Sequence, residues 1–158
     1  CLDFWSKIVG FDIAQLKQQH AANISWRPEA ENFLRRLRAS HCEVVLITNA
    51  HPDTLRIKLQ QIRHEPLLDK VFTSHSFSAP KEYQIFWQKL QAASAFDPKR
   101  TVFIDDSESV LASAETYGVA HLITLRQPDS SQPKRTQTRY PAVLHFDELF
   151  EGLPHFDG

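Results

Sequence analysis

The chain has 158 residues and a formal net charge of −1, with 42% hydrophobic and 23% charged residues. That is one ordinary domain with enough apolar material for a core, and with no overall field to draw it to nucleic acid or a membrane surface. Two cysteines, Cys1 and Cys42, are too few for a disulfide framework or a zinc site and favour a reducing cytoplasm, and no apolar run approaches the roughly 20 residues of a membrane span.

In chain order, the first segment reads as helical, with Leu2, Trp5, Ile8 and Val9 on one face, Gly10 ending the run and Asp12 able to cap the next. Pro28 suits a helix start, with Ala30, Phe33, Leu34 and Leu37 at helical spacing. The period then changes. Residues 43–48 form a short β-branched and aliphatic run, the pattern of a strand covered on both faces. His51-Pro52-Asp53 opens a helix carrying Leu55, Leu59 and Ile62, and a short strand is expected near Val71, Phe72 and Thr73. A helix over about 82–93, a strand over 101–105, a helix over about 108–117 closed by Gly118, and a strand over 121–125 follow. Residues 127–140 are polar, contain Pro128 and Pro133 and read as an exposed loop; 146–150 reads as a short helix. Strands alternating with helices of this length predict an α/β fold, a Rossmann-like parallel sheet flanked by helices. In such sheets ligands bind beyond the carboxyl ends of the strands.

Three strand ends carry chemistry. Thr48-Asn49 offers a hydroxyl and exposed backbone N–H groups that can hold a phosphate oxygen, or that simply cap the next helix. Lys81 follows Pro80 at a helix start, where a cation opposes the helix dipole and wants an anion nearby; taken alone, it reads first as a solvated surface lysine. Asp105 and Asp106 come straight off an apolar strand, and two adjacent anions there call for a cation. Hard oxygen ligands in small number suit Mg²⁺, although Asp106 or Ser107 can also be a plain helix cap. Together the three form the equipment of phosphoryl transfer, in which the protein positions groups and stabilises charge. The four glycines are not clustered, so neither a Walker loop nor a dinucleotide fingerprint is present.

The apolar run with Thr48-Asn49, then Pro80-Lys81-Glu82, then Phe103-Ile104-Asp105-Asp106-Ser107 resemble motifs two, three and four of the haloacid dehalogenase-like (HAD) hydrolases, over about residues 28–125. More narrowly, LITNAHPDTLRIKL and FIDDSESVLASAETYGV resemble bacterial purine 5′-nucleotidases of that superfamily, which act on GMP and IMP. The resemblance implies a Mg²⁺-dependent phosphomonoester hydrolase whose substrate is a small phosphomonoester such as a purine mononucleotide. It implies that Thr48 and the Asn49 backbone bind the phosphoryl group, that Lys81 neutralises it, that Asp105 ligates Mg²⁺ directly and that Asp106 does so through water or from behind. Residues 1–27 would be the carboxyl-terminal part of a helical cap, and 28–158 the core.

The family's first motif, Asp-x-Asp-Gly-Thr, supplies the nucleophile and the general acid/base on the central strand, and no Asp-x-Asp occurs in these residues. Because the chain starts at Cys1 and has no methionine, the expectation is that this motif lies upstream, and that residues 1–158 alone are inactive and unstable for want of a central strand. An alternative is a non-catalytic phosphate- or Mg²⁺-binding remnant acting as an interaction module. A response-regulator receiver shares the residue types but places its acid pair before the threonine and lysine. Phe4 and Trp5 read as core rather than as a stacking site for a base, and Lys134, Arg135 and Arg139 as a solvated loop rather than a polyanion site.

Overall fold

A computed structural model describes residues 24–62 and 67–152. The helical reading of the first segment, including Phe4 and Trp5, therefore lies outside the described residues. Helix α1 (Ala30–Arg38) starts two residues after Pro28, following Glu29 in a left-handed conformation (φ 62°). Then come β1 (Val45–Thr48), α2 (Pro52–Ile62), β2 (Lys70–Thr73) and a one-turn helix α3 (Ser74–Phe77). Helix α4 (Gln84–Ala93) leads through a 3₁₀ turn at Pro98–Arg100 to β3 (Val102–Ile104), α5 (Glu108–Tyr117) and β4 (His121–Leu125). A two-residue strand β5 (Ala142–Val143) and helix α6 (Glu148–Gly152) complete the described part.

Every strand pair is parallel, as the alternation of strands and helices requires. The strands fall into two ladders, β1–β2 and β3–β4–β5. Strand β4 is bonded on both sides, whereas among the described residues β1 pairs with β2 alone and β3 with β4 alone. The run at 43–48, expected to be covered on both faces, is half-buried along all of β1. A strand with one neighbour presents its open side, which is the physical reason for the difference.

Alternation along β3 and β4 places helices on both faces. Phe103 and Leu122 join a core with Phe86, Trp87 and Leu90 of α4 and Val110, Leu111 and Ala114 of α5. Val102, Ile104 and Ile123 point the other way, toward Phe33 of α1 and Leu149 of α6. Ile47 of β1 and Phe72 of β2 pack against the first of these cores, so both ladders rest on one layer. Helix α5 ends where expected, on Gly118 at φ 107°, a conformation that costs glycine nothing. The loop at 127–140 holds no helix or strand, as its composition predicts; α3 and β5 are additions that four- and two-residue spans do not announce in sequence.

Candidate active site

The carboxyl ends of β1 and β3 and the turn before α4 meet at one place. Lys81 Nζ is ion-paired with Asp105 Oδ2, and both side chains are nearly buried (9% and 8% exposed). Two charges so far from water require each other, because removing either leaves an uncompensated buried ion. The second Asp105 oxygen, Oδ1, accepts the Ser107 backbone N–H at 2.9 Å. Ser107, the residue at the α5 N-cap, makes no side-chain cap bond of its own. Asp105 thereby closes a two-residue turn ahead of the helix, and the capping alternative is not realised by Ser107.

Asn49, one residue past β1, faces the same turn. Its Oδ1 accepts the Lys81 backbone N–H at 3.1 Å, and its Nδ2 donates to both Glu82 oxygens at 3.0 and 3.2 Å. Thr48 Oγ1 accepts the Ala50 N–H at 3.0 Å, a local turn, and a hydroxyl that accepts can still donate its proton. Asp106 is exposed, and its backbone carbonyl accepts Arg135 Nη1 at 3.0 Å. The structure thus brings Asn49 onto the Lys81 backbone and Asp105 onto the Lys81 ammonium, with Thr48 and Asp106 next to them in sequence.

Three residues of this arrangement were not legible as site residues. Arg135, read as part of a solvated loop, is half-buried and reaches back over the acid pair, tied through its own N–H to the Arg126 carbonyl at 2.8 Å. Trp87 donates its indole N–H to the Lys81 carbonyl at 2.9 Å and to Ser113 Oγ at 3.0 Å. Glu82 holds the Asn49 amide. A proline-lysine-glutamate run marks the turn, but nothing local signals contacts with residues 32 and 33 positions away.

The donor chemistry fits magnesium. Asp105 and Asp106 are consecutive, offer oxygen only, and combine a nearly buried carboxylate with an exposed one; Mg²⁺ commonly takes one or two carboxylates and completes its shell with water and phosphate. No group of three or more His, Cys, Asp or Glu side chains suited to a metal occurs among the described residues, so a structural zinc-type cage is not built there. Beside the turn, Asn49, Ser74, His75, Pro80, Glu82 and Tyr83 line an open cleft of about 450 Å³.

A parallel α/β core with a buried lysine–aspartate pair at its strand ends defines a class of phosphate-handling hydrolases. The family of NLI interacting factor-like phosphatases matches residues 4–121. The GMP/IMP nucleotidase YrfG of Escherichia coli (strain K12) is 33% identical over 153 residues, 97% of this chain and 69% of that protein. A Thermotoga maritima protein assigned as a beta-phosphoglucomutase superimposes with a TM-score of 0.73 at 13% identity, covering 96% of this chain and 77% of the other. YfnB of Bacillus subtilis, assigned to the HAD hydrolases and crystallised with magnesium, does so with a TM-score of 0.64 at 17% identity, over 79% and 54%. The chain thus spans about half the length of that solved protein. It belongs to the NLI interacting factor-like phosphatases and, with them, to the HAD hydrolases.

Proposed function

We propose that these residues are most of the catalytic core of a Mg²⁺-dependent phosphomonoesterase acting on purine 5′-mononucleotides, GMP and IMP in particular. The single observation that carries the reading is the buried Lys81–Asp105 pair beside Thr48 and Asn49, at the ends of parallel strands. Such a pair is costly to bury and gains its use where an incoming phosphate brings further negative charge. Thr48 and the Asn49 backbone bind phosphoryl oxygens, and Lys81 offsets the charge on the phosphate and on its attacker. Asp105 and Asp106 would hold Mg²⁺, which when bound supplies electrostatic stabilisation of the phosphoryl oxygens. The substrate is inferred from the similarity to the nucleotidase.

The nucleophilic carboxylate that forms an aspartyl-phosphate, and the acid that protonates the leaving oxygen, come from a first motif outside these 158 residues. Two facts support this: no Asp-x-Asp occurs in the sequence, and β1 and β3 each have one described neighbour. A strand seated between them would bring its carboxyl end beside Lys81. We further assign residues 1–27 to the end of a helical cap and the protein to the cytoplasm; no described helix is long and apolar enough to cross a membrane. Because no Asp-x-Asp is present, the 158 residues by themselves favour a second reading, a phosphate- and Mg²⁺-binding module without turnover.

The test is phosphate release from GMP, IMP, AMP and an aryl phosphate, with and without Mg²⁺, by the full-length protein and by the 158-residue chain. The full-length protein should turn over GMP and IMP, and Lys81→Met or Asp105→Asn should lower kcat by about 10²-fold or more. The short chain should be inactive. Mg²⁺-dependent turnover by the short chain would place the nucleophile within it and overturn the assignment.

A further inference from the structure

The turn carrying Lys81 belongs to no helix or ladder, so its peptide groups need partners from elsewhere. Side chains supply both: Asn49 Oδ1 takes the Lys81 N–H, and the Trp87 indole donates to the Lys81 carbonyl. One arrives from the end of β1 and the other from within α4. We propose that Asn49 is a positioning residue, which with Trp87 grips the Lys81 peptide from both sides and so fixes where the Lys81 ammonium stands. The proposal rests on reading Lys81 as the phosphate-neutralising cation.

The orientation of the Asn49 amide follows from chemistry. A backbone N–H can only donate and the ionised Glu82 carboxylate can only accept, so the oxygen faces Lys81 and the nitrogen faces Glu82. Both ends of the amide are used, and neither alanine nor aspartate reproduces them. Trp87 is 2% exposed and pinned by a second acceptor, Ser113 Oγ, so that side of the grip is rigid. The other side depends on Asn49, which is itself exposed. The Asn49–Lys81 hydrogen bond is part-buried and, as a single bond, is worth about 1 kcal/mol of stability, whereas an ammonium on a flexible four-carbon stem is only as well placed as its Cα. Stability and turnover should therefore respond very differently to its loss.

The test uses the full-length protein with Asn49→Ala, Asn49→Asp and the double variant Asn49→Asp/Glu82→Gln. Asn49→Ala keeps the backbone N–H that faces the phosphate. It should speed amide hydrogen exchange at Lys81 about tenfold without altering exchange at Leu111, and lower kcat by ~10–100-fold while KM changes little. Asn49→Asp keeps an acceptor for Lys81 but sets two carboxylates face to face, so it should be similarly impaired. Adding Glu82→Gln moves the donor to the other partner and should recover kcat at least tenfold. A purely structural contact would show no such rescue. Unchanged exchange at Lys81 in Asn49→Ala, or a double variant no better than Asn49→Asp, overturns the proposal. Should the unmodified protein release no phosphate, the proposed function fails, and exchange at Lys81 still decides whether the grip exists.

Discussion

The two ladders of the sheet are similar in sequence and different in surroundings. Strand β4 has partners on both sides, and from Leu122 to Leu125 it is buried throughout, Thr124 completely. Strand β1, Val-Leu-Ile-Thr, is as apolar and remains half-buried from end to end. Burial follows from the neighbours a strand has, not from its own composition. A strand more apolar than its exposure warrants has the chemistry of an interior position, which supports the proposal that a further strand lies beside β1 and β3, each of which has one neighbour among the described residues.

The contrast predicts unequal costs for similar mutations. Phe86, fully buried between the α4 and α5 side chains, should lose about 3–5 kcal/mol on Phe86→Ala. Phe72 of β2 stacks on Phe77 at 5.6 Å but is only half-buried, and Phe72→Ala should cost about 1–2 kcal/mol. Urea unfolding of the two variants measures the difference. Equal costs would mean that a half-buried position on β2 contributes as much as the centre of the core it packs against. Hydrogen exchange provides a second view: amides of β1 should exchange faster than those of β4 in the 158-residue chain, and should slow in the full-length protein if a strand seats beside them.

The sequence was informative where a pattern is local. The five-residue strand at 121–125 and the helix from Glu108 to its glycine stop match their expected bounds, because periodicity and a cap are read within one segment. The ends of β1 and β3, at Thr48 and just before Asp105, were also legible, since each closes an apolar run, whereas the short helix Ser74–Phe77 between β2 and the Lys81 turn was not. Contacts made through space were not legible. Nothing near residue 135 signals that its guanidinium reaches the Asp106 carbonyl, and a polar, proline-bearing loop looks solvated until the chain has folded. The separation of the described strands into two ladders was not legible, because pairing is made between distant segments.

Arg135 offers a smaller test of the same contrast. Its guanidinium lies 3.0 Å from the Asp106 carbonyl and 3.5 Å from Thr124 Oγ1, tying the loop to the better-paired ladder. Arg135→Ala should cost about 1 kcal/mol, and should weaken Mg²⁺ retention less than Asp105→Asn does, as titration calorimetry would show. A loss as large as that from Asp105→Asn would move Arg135 from the margin of the site into it.

The gentlest probe of the ladders is pH, because perturbed groups sit beside both: Asp69 before β2, and Asp129 and Tyr140 in the segment between β4 and β5. Asp69, just before β2, accepts the Val44 N–H at 2.8 Å and pairs with Arg38. The Val44 backbone hydrogen bond is the largest influence and holds its carboxyl below the ordinary 3.8; burial opposes it, and the Arg38 charge and hydrogen bond add to the lowering. A lowered folded value means the unfolded chain binds the proton more readily. The stability it contributes is therefore complete above about pH 4 and is lost as pH falls through the folded value. Tyr140, packed against the core under β4, is displaced upward from 10.0, chiefly by burial and then by its hydrogen bond to Glu115 at 3.0 Å. Here the sign reverses: the contribution is complete below pH 10 and is lost as pH rises through the folded value. Acid should cost stability through Asp69 and Asp129 and alkali through Tyr140, and Asp69→Asn should make the acid limb shallower while leaving the alkaline limb as it was. Thermal unfolding across pH follows both limbs, and an alkaline limb lost in Asp69→Asn would show that the Tyr140 contribution depends on Asp69.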